Sequence, residues 1–188
     1  MKKLLVMAAI LLGAVTANAQ NEVGQLSIAP TVGVNYAKIS SDKQKFNTFF
    51  ELGANAEYGV TEKLGVTAGL FYSFQGSKDD GGAGKKTETS YINVPILANY
   101  YVWNGLAVKA GVQPGYLLKA EYDGHDFKKD AKKLDLGIPV GVSYEVSDIV
   151  FDLRYVFGLT KVNKKNALMN KEGKNQVIQF TVGYKFKL

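Results

Sequence analysis

Read at every second residue, eight segments of this chain present unbroken runs of apolar or aromatic side chains, at positions 26–36, 50–58, 64–74, 92–102, 106–120, 134–146, 149–159 and 178–188. The third run is Leu64, Val66, Ala68, Leu70, Tyr72 and Phe74. No run contains a charged, amide or hydroxyl-aliphatic side chain. A period of two places successive residues on opposite faces of a β-strand, so each run is one apolar face. Eight strands long enough to cross a tilted path through hydrocarbon predict an all-β, eight-stranded antiparallel up-and-down transmembrane β-barrel, of the architecture of the smallest outer-membrane barrels.

The connections agree. The strands read as 25–37, 47–59, 64–75, 89–102, 106–120, 133–146, 149–160 and 176–188. Short turns at 60–63, 103–105 and 147–148 alternate with long loops near 38–46, 76–88, 121–132 and 161–175. Short turns at one rim and long loops at the other suit a membrane barrel, with both termini expected on the periplasmic, short-turn side.

The opposite face of each strand is polar or small. It carries the acids Glu51, Glu57, Asp135, Glu145 and Asp152 and the bases Lys109, Lys119, Arg154, Lys185 and Lys187. Charges inside a narrow barrel need partners, so a closed, ion-paired lumen is expected from Glu51, Glu57, Lys109, Asp135, Glu145, Asp152, Arg154 and Lys185. Lys119 and Lys187 lie near strand ends, where water can solvate them. Glycines such as Gly33, Gly53, Gly69, Gly141 and Gly183 also fall on this face, leaving room for Phe71, Tyr91, Leu97, Tyr101 and Leu117. The outward aromatics gather toward both strand ends, as interfacial girdles do. The inverted alternative is a soluble carrier with its apolar face inside. Its exterior would then be rich in Gly and Ala and short of charge.

Residues 1–19 read as a cleaved secretory leader: Lys2 and Lys3, an apolar stretch from Leu4, and Ala17-Asn18-Ala19 before Gln20. Residues 20–188 then form one outer-membrane domain. Cysteine is absent, so neither disulfides nor a lipidated cysteine contribute.

The strand Tyr91-Ile92-Asn93-Val94-Pro95-Ile96-Leu97 and the segment Ala110-Gly111-Val112-Gln113-Pro114-Gly115-Tyr116 resemble the PorT-like outer-membrane β-barrel family of Bacteroidota, a small porin-type family. Leu134-Asp135-Leu136-Gly137, Arg154-Tyr155 and Val182-Gly183-Tyr184-Lys185-Phe186 are similar to its later strands. The resemblance implies an outer-membrane location and insertion by the barrel-assembly machinery. It also raises an accessory role in secretion or assembly of surface proteins. The terminal Phe186-Lys187-Leu188 ends in Leu where such barrels usually end in an aromatic, while Phe186 keeps the alternation.

Catalytic chemistry finds little footing. His125, the single histidine, lies between Asp123 and Asp126 in a loop and reads as solvated rather than as a general base or metal ligand. The glycine-rich run 81–86 lacks phosphate-loop spacing, and the acidic segments near Asp79 and Asp123 are too lysine-rich for a calcium site. No cofactor is expected; an outer-membrane enzyme or a narrow pore remain the alternatives. Counting boundary Lys133 with its loop, the four long loops carry 15 basic residues against 9 acidic ones, densest at Lys128, Lys129, Lys132 and Lys133 and at Lys161, Lys164, Lys165, Lys171 and Lys174. Such lysines suit contact with outer-membrane lipid, the phosphates of lipopolysaccharide, a surface glycan or an envelope protein, and a secreted chain excludes nucleic acid.

Overall fold

The computed structural model describes residues 22–39, 44–45, 47–79, 86–122, 125–126, 133–161 and 174–188. Residues 1–19, expected to be a leader, and the lysines at 128, 129, 132, 164, 165 and 171 lie outside them. Eight strands wind up and down: β1 (Leu26–Ile39), β2 (Asn47–Gly59), β3 (Leu64–Asp79), β4 (Lys86–Asn93 and Ile96–Trp103), β5 (Leu106–Tyr122), β6 (Leu134–Val146), β7 (Ile149–Lys161) and β8 (Lys174–Tyr184 and Phe186–Lys187). Two short pieces, Gln44–Lys45 and His125–Asp126, extend the rims of β3 and β5. Each strand pairs antiparallel with its sequence neighbours, and β8 returns to β1 from Ile39↔Asn175 to Thr31↔Gly183, closing the cylinder. Closure removes the exposed edge that an open sheet would leave unpaired in hydrocarbon.

Tight turns set the registers at one rim. Val146↔Ile149 brackets a two-residue turn in which Ser147 takes φ 55°, a left-handed conformation that a non-glycine residue adopts at some cost. Gly105 supplies φ 72° in the Trp103–Leu106 turn, where glycine bears no such cost. The Thr61 hydroxyl accepts from the Leu64 amide at 2.9 Å and closes the turn between β2 and β3.

The four prolines account for four gaps in the ladders. Proline has no N–H to give a neighbour, and a closed barrel offers it no edge. Pairing between β3 and β4 skips from Phe71↔Asn93 to Ala68↔Ile96, across Pro95, which splits β4 where the sequence suggests one continuous strand. β4 and β5 skip at Pro114, β5 and β6 at Pro139, and β1 and β8 at Pro30, opposite Tyr184. The proline carbonyls stay in use, as Gly69 N–H donates to Pro95 O and Val94 N–H to Pro114 O, each at 2.9 Å.

The alternation holds along nearly the whole wall. Val32, Leu52, Leu70, Ile96, Val142 and Phe180 point outward, while their chain neighbours Thr31, Glu51, Phe71, Leu97, Ser143 and Thr181 are buried in the lumen. One exception corrects the sequence reading. A β-bulge leaves Leu118 without a partner between Tyr91↔Leu117 and Ser90↔Lys119, and reverses the faces beyond it. Lys119 therefore points outward and Ala120 is fully buried, the opposite of what uninterrupted alternation predicts.

Candidate functional site

A barrel can act through its lumen, its rims or its lipid-facing wall. The lumen is filled in three tiers. Near the short-turn rim, Lys185 on β8 sits 2.7 Å from Glu145 of β6 and 3.7 Å from Glu57 of β2. Glu57 also accepts from the Tyr101 hydroxyl and, at 3.2 Å, from Thr67, whose oxygen takes the Asn99 amide at 2.6 Å.

In the middle tier Lys109 of β5 reaches across to Asp152 of β7 at 2.7 Å, and Arg154 Nε lies 2.7 Å from the other oxygen of the same carboxylate. The Arg154 guanidinium rests over the Phe71 ring, 5.5 Å from its centroid. Glu51 is held by the Gln179 amide at 3.1 Å and forms no ion pair among the described residues. Nearer the long loops, Asp135 is bound by the Thr160 hydroxyl and, at 2.8 Å, by the Asn175 amide, again with no ion pair among the described residues.

Small residues make this filling possible. A Cβ on Gly141 would stand 2.8 Å from Arg154 Cγ, and one on Gly69 would stand 2.8 Å from Phe71 Cε2. Glycine there is a matter of space. Arg154, Phe71, Tyr91, Leu97 and Leu117 are among the most deeply buried side chains. A cavity of about 20 Å³ is left between Lys109, Asp152, Glu57 and Lys185, enough for a single water.

Sequence parity identifies which side chains enter the lumen, except beyond the bulge at Leu118, where Lys119 and Ala120 exchange faces. It misses Thr160 and Ser73 as hydrogen-bonding partners, because their roles depend on strand stagger rather than on residue type. Asn35, for instance, donates to Ser73 Oγ at 2.7 Å from two strands away.

The outer wall is apolar along its band, with Lys119 exposed near the long-loop rim. Phe50, Tyr58, Tyr100, Trp103, Tyr116 and Phe157 are exposed toward its ends, and Val32, Leu52, Leu70, Ile96, Val112, Val142 and Phe180 along the band between. Neighbouring rings support one another, as Tyr72 and Phe74 meet edge-on at 4.9 Å. Among the described residues no group of histidine, cysteine and carboxylate side chains could hold a metal ion. His125 pairs through its backbone with Tyr122, and Lys174 is exposed where β8 begins.

The model of the outer membrane protein beta-barrel domain matches residues 5–186. The chain belongs to that family. Its cylinder also resembles solved outer-membrane proteins. Ail, the attachment invasion locus protein of Yersinia pestis, has a TM-score of 0.57 at 16% identity over 88% of this chain and 100% of its own. OprG from Pseudomonas aeruginosa has 0.54 at 13% over 90% and 99%. Neisserial surface protein A has 0.52 at 16% over 88% and 97%. At these identities the likeness shows the fold. No curated protein matches the sequence. The apolar wall of this outer-membrane barrel therefore faces hydrocarbon, and its filled interior replaces the water-filled channel of a larger porin.

Proposed function

We propose that this outer-membrane barrel works as a non-catalytic scaffold that displays its long loops to polyanions at the cell surface. The observation that carries the reading is the filled lumen: among the described residues about 20 Å³ is left between its ion pairs, which leaves little room for transport along the axis and directs function to the rims. The loop lysines, from Lys128, Lys129 and Lys132 to Lys164, Lys165, Lys171 and Lys174, would neutralise phosphates, sulfates or carboxylates of lipopolysaccharide or surface glycan. Ail, with the same fold, has been solved in complex with the heparin analogue sucrose octasulfate, which makes a sulfated sugar a reasonable first ligand to try.

In this reading a secretory leader directs the chain through the inner membrane, the assembly machinery inserts it, and both termini remain periplasmic. The motif from Tyr91 to Leu97 resembles that of PorT-like barrels, and that resemblance supports assistance to surface-protein secretion as a second role. Binding of the purified protein to lipopolysaccharide decides the matter. It should weaken steeply with salt and fall on reversing Lys164 and Lys165 to Glu; salt-independent or absent binding would refute it. Planar-bilayer recordings should show negligible stepwise conductance.

A further inference from the structure

Among the described residues, the ladder between β2 and β3 is interrupted near the long-loop rim. Their pairing runs from Gly59↔Gly65 to Glu51↔Ser73 and stops, resuming only at Lys45↔Lys78 in the extension of β3. Along the described residues 47–50 and 74–77 the two strands form no cross-strand pair. The interruption is a built feature rather than a frayed end. The Asn35 amide reaches from β1 to Ser73 Oγ at 2.7 Å and to Phe74 O at 3.1 Å, supplying a donor to the carbonyl where the ladder ends.

A cavity of about 290 Å³ occupies this seam, close to the lower end of the range for small-molecule sites, about 300–1,000 Å³. Its lining mixes both faces of the wall: Phe50, Phe74 and Lys119 exposed on the outer face, Ser90 in register with them but buried, and Phe49 and Gln75 from the inner. Phe74, Ser90 and Lys119 are register partners in one row across three strands. The row runs from an aromatic through a hydroxyl to an ammonium. Lys119 faces outward only because of the bulge at Leu118. Its side chain is 60% exposed and holds Glu121 at 2.8 Å.

We infer that this seam binds a free single-chain amphiphile with an anionic head, such as a fatty carboxylate, with the head at Ser90 and Lys119 and the tail between Phe50 and Phe74 toward Phe49. The charge of Lys119 selects the head, the three phenylalanines select the tail, and the size of the cavity excludes a two-chained lipid. Continuity with the hydrocarbon-facing wall provides the entry path. The site is separate from the loop lysines and does not depend on them.

The test titrates the full-length protein in phosphatidylcholine nanodiscs with radiolabelled dodecanoate, using empty nanodiscs for the partition background. One saturable site per barrel is expected, weakened about tenfold or more for dodecanol and in Lys119→Glu, the loss of one charge-assisted contact. Ser90→Leu should weaken it comparably, and Lys119→Glu, on an exposed side chain, guards against misreading a folding defect. Uptake no greater than in empty nanodiscs, or binding indifferent to both head group and Lys119, would overturn the proposal. A second arm places the sole tryptophan at the seam, as Phe49→Trp with Trp103→Phe. Saturable quenching by 11-bromoundecanoate supports a free amphiphile. Equal quenching by brominated phosphatidylcholine would mean that a bilayer tail fills the seam, and would overturn it.

Discussion

Leu153 and Arg154 are adjacent in β7 and answer to different constraints. Leu153 is 47% exposed on the outer wall, where hydrocarbon solvates any apolar group about equally well, so its shape matters little. Arg154 is 2% exposed and stands between the Asp152 carboxylate and the Phe71 ring, with Gly141 left bare to admit it. The same contrast repeats along every strand. Outward positions need only be greasy, whereas inward positions need particular partners at particular distances. Chemical identity is therefore loosely specified on one face and tightly on the other.

The contrast can be broken from either side, with unfolding in lipid vesicles as the measurement. The largest effect should come from Asp152→Ala, which strands Lys109 and Arg154 in the lumen without their carboxylate. A loss of about 3–5 kcal/mol is expected, as for other broken buried pairs, and a change below about 1 would show that lumen water solvates these charges. Next is Leu70→Arg, which places a cation near the middle of the outer face. It should cost about 2–4 kcal/mol, and a negligible cost would show that this face does not meet hydrocarbon. Gly141→Ala should cost about 1–3 kcal/mol, because its Cβ meets the Leu153 carbonyl oxygen as well as Arg154 Cγ, and shortening Arg154 to Ala first should relieve only part of that cost. The smallest effect sharpens the comparison: Leu52→Ile, between greasy groups of equal size in lipid, should shift stability by under about 0.5 kcal/mol.

Alternation made the barrel legible before any coordinates, because a period of two survives whatever the strands pair with. Positions such as Glu57, Lys109, Asp152 and Lys185 could be assigned to the inward face on parity alone. Which acid meets which base could not. Lys109 finds Asp152 two strands away, and Lys185 lies between Glu57 and Glu145 of different strands, so the partners depend on stagger, which composition does not encode. Parity also failed at Lys119 and Ala120, since the unpaired Leu118 carries no distinctive residue type. Pro95 did carry a signal, a missing donor in mid-strand, and the split of β4 is its consequence. The seam between β2 and β3 had no signature at all, because Phe49, Phe50 and Phe74 are ordinary strand formers.

The bulge at Leu118 has a reach beyond its own ladder. In a wall where side-chain direction simply alternates, one supernumerary residue inverts everything downstream of it until the strand ends. Placed this close to the rim, the inversion touches Lys119, Ala120 and little beyond them; placed lower, it would have turned Lys109 toward the lipid. Insertion or loss of a single codon here could thus exchange the membrane-facing character of β5's tip while sparing the cylinder beneath, giving this corner of the barrel freedom to change its chemistry that the remaining strands lack.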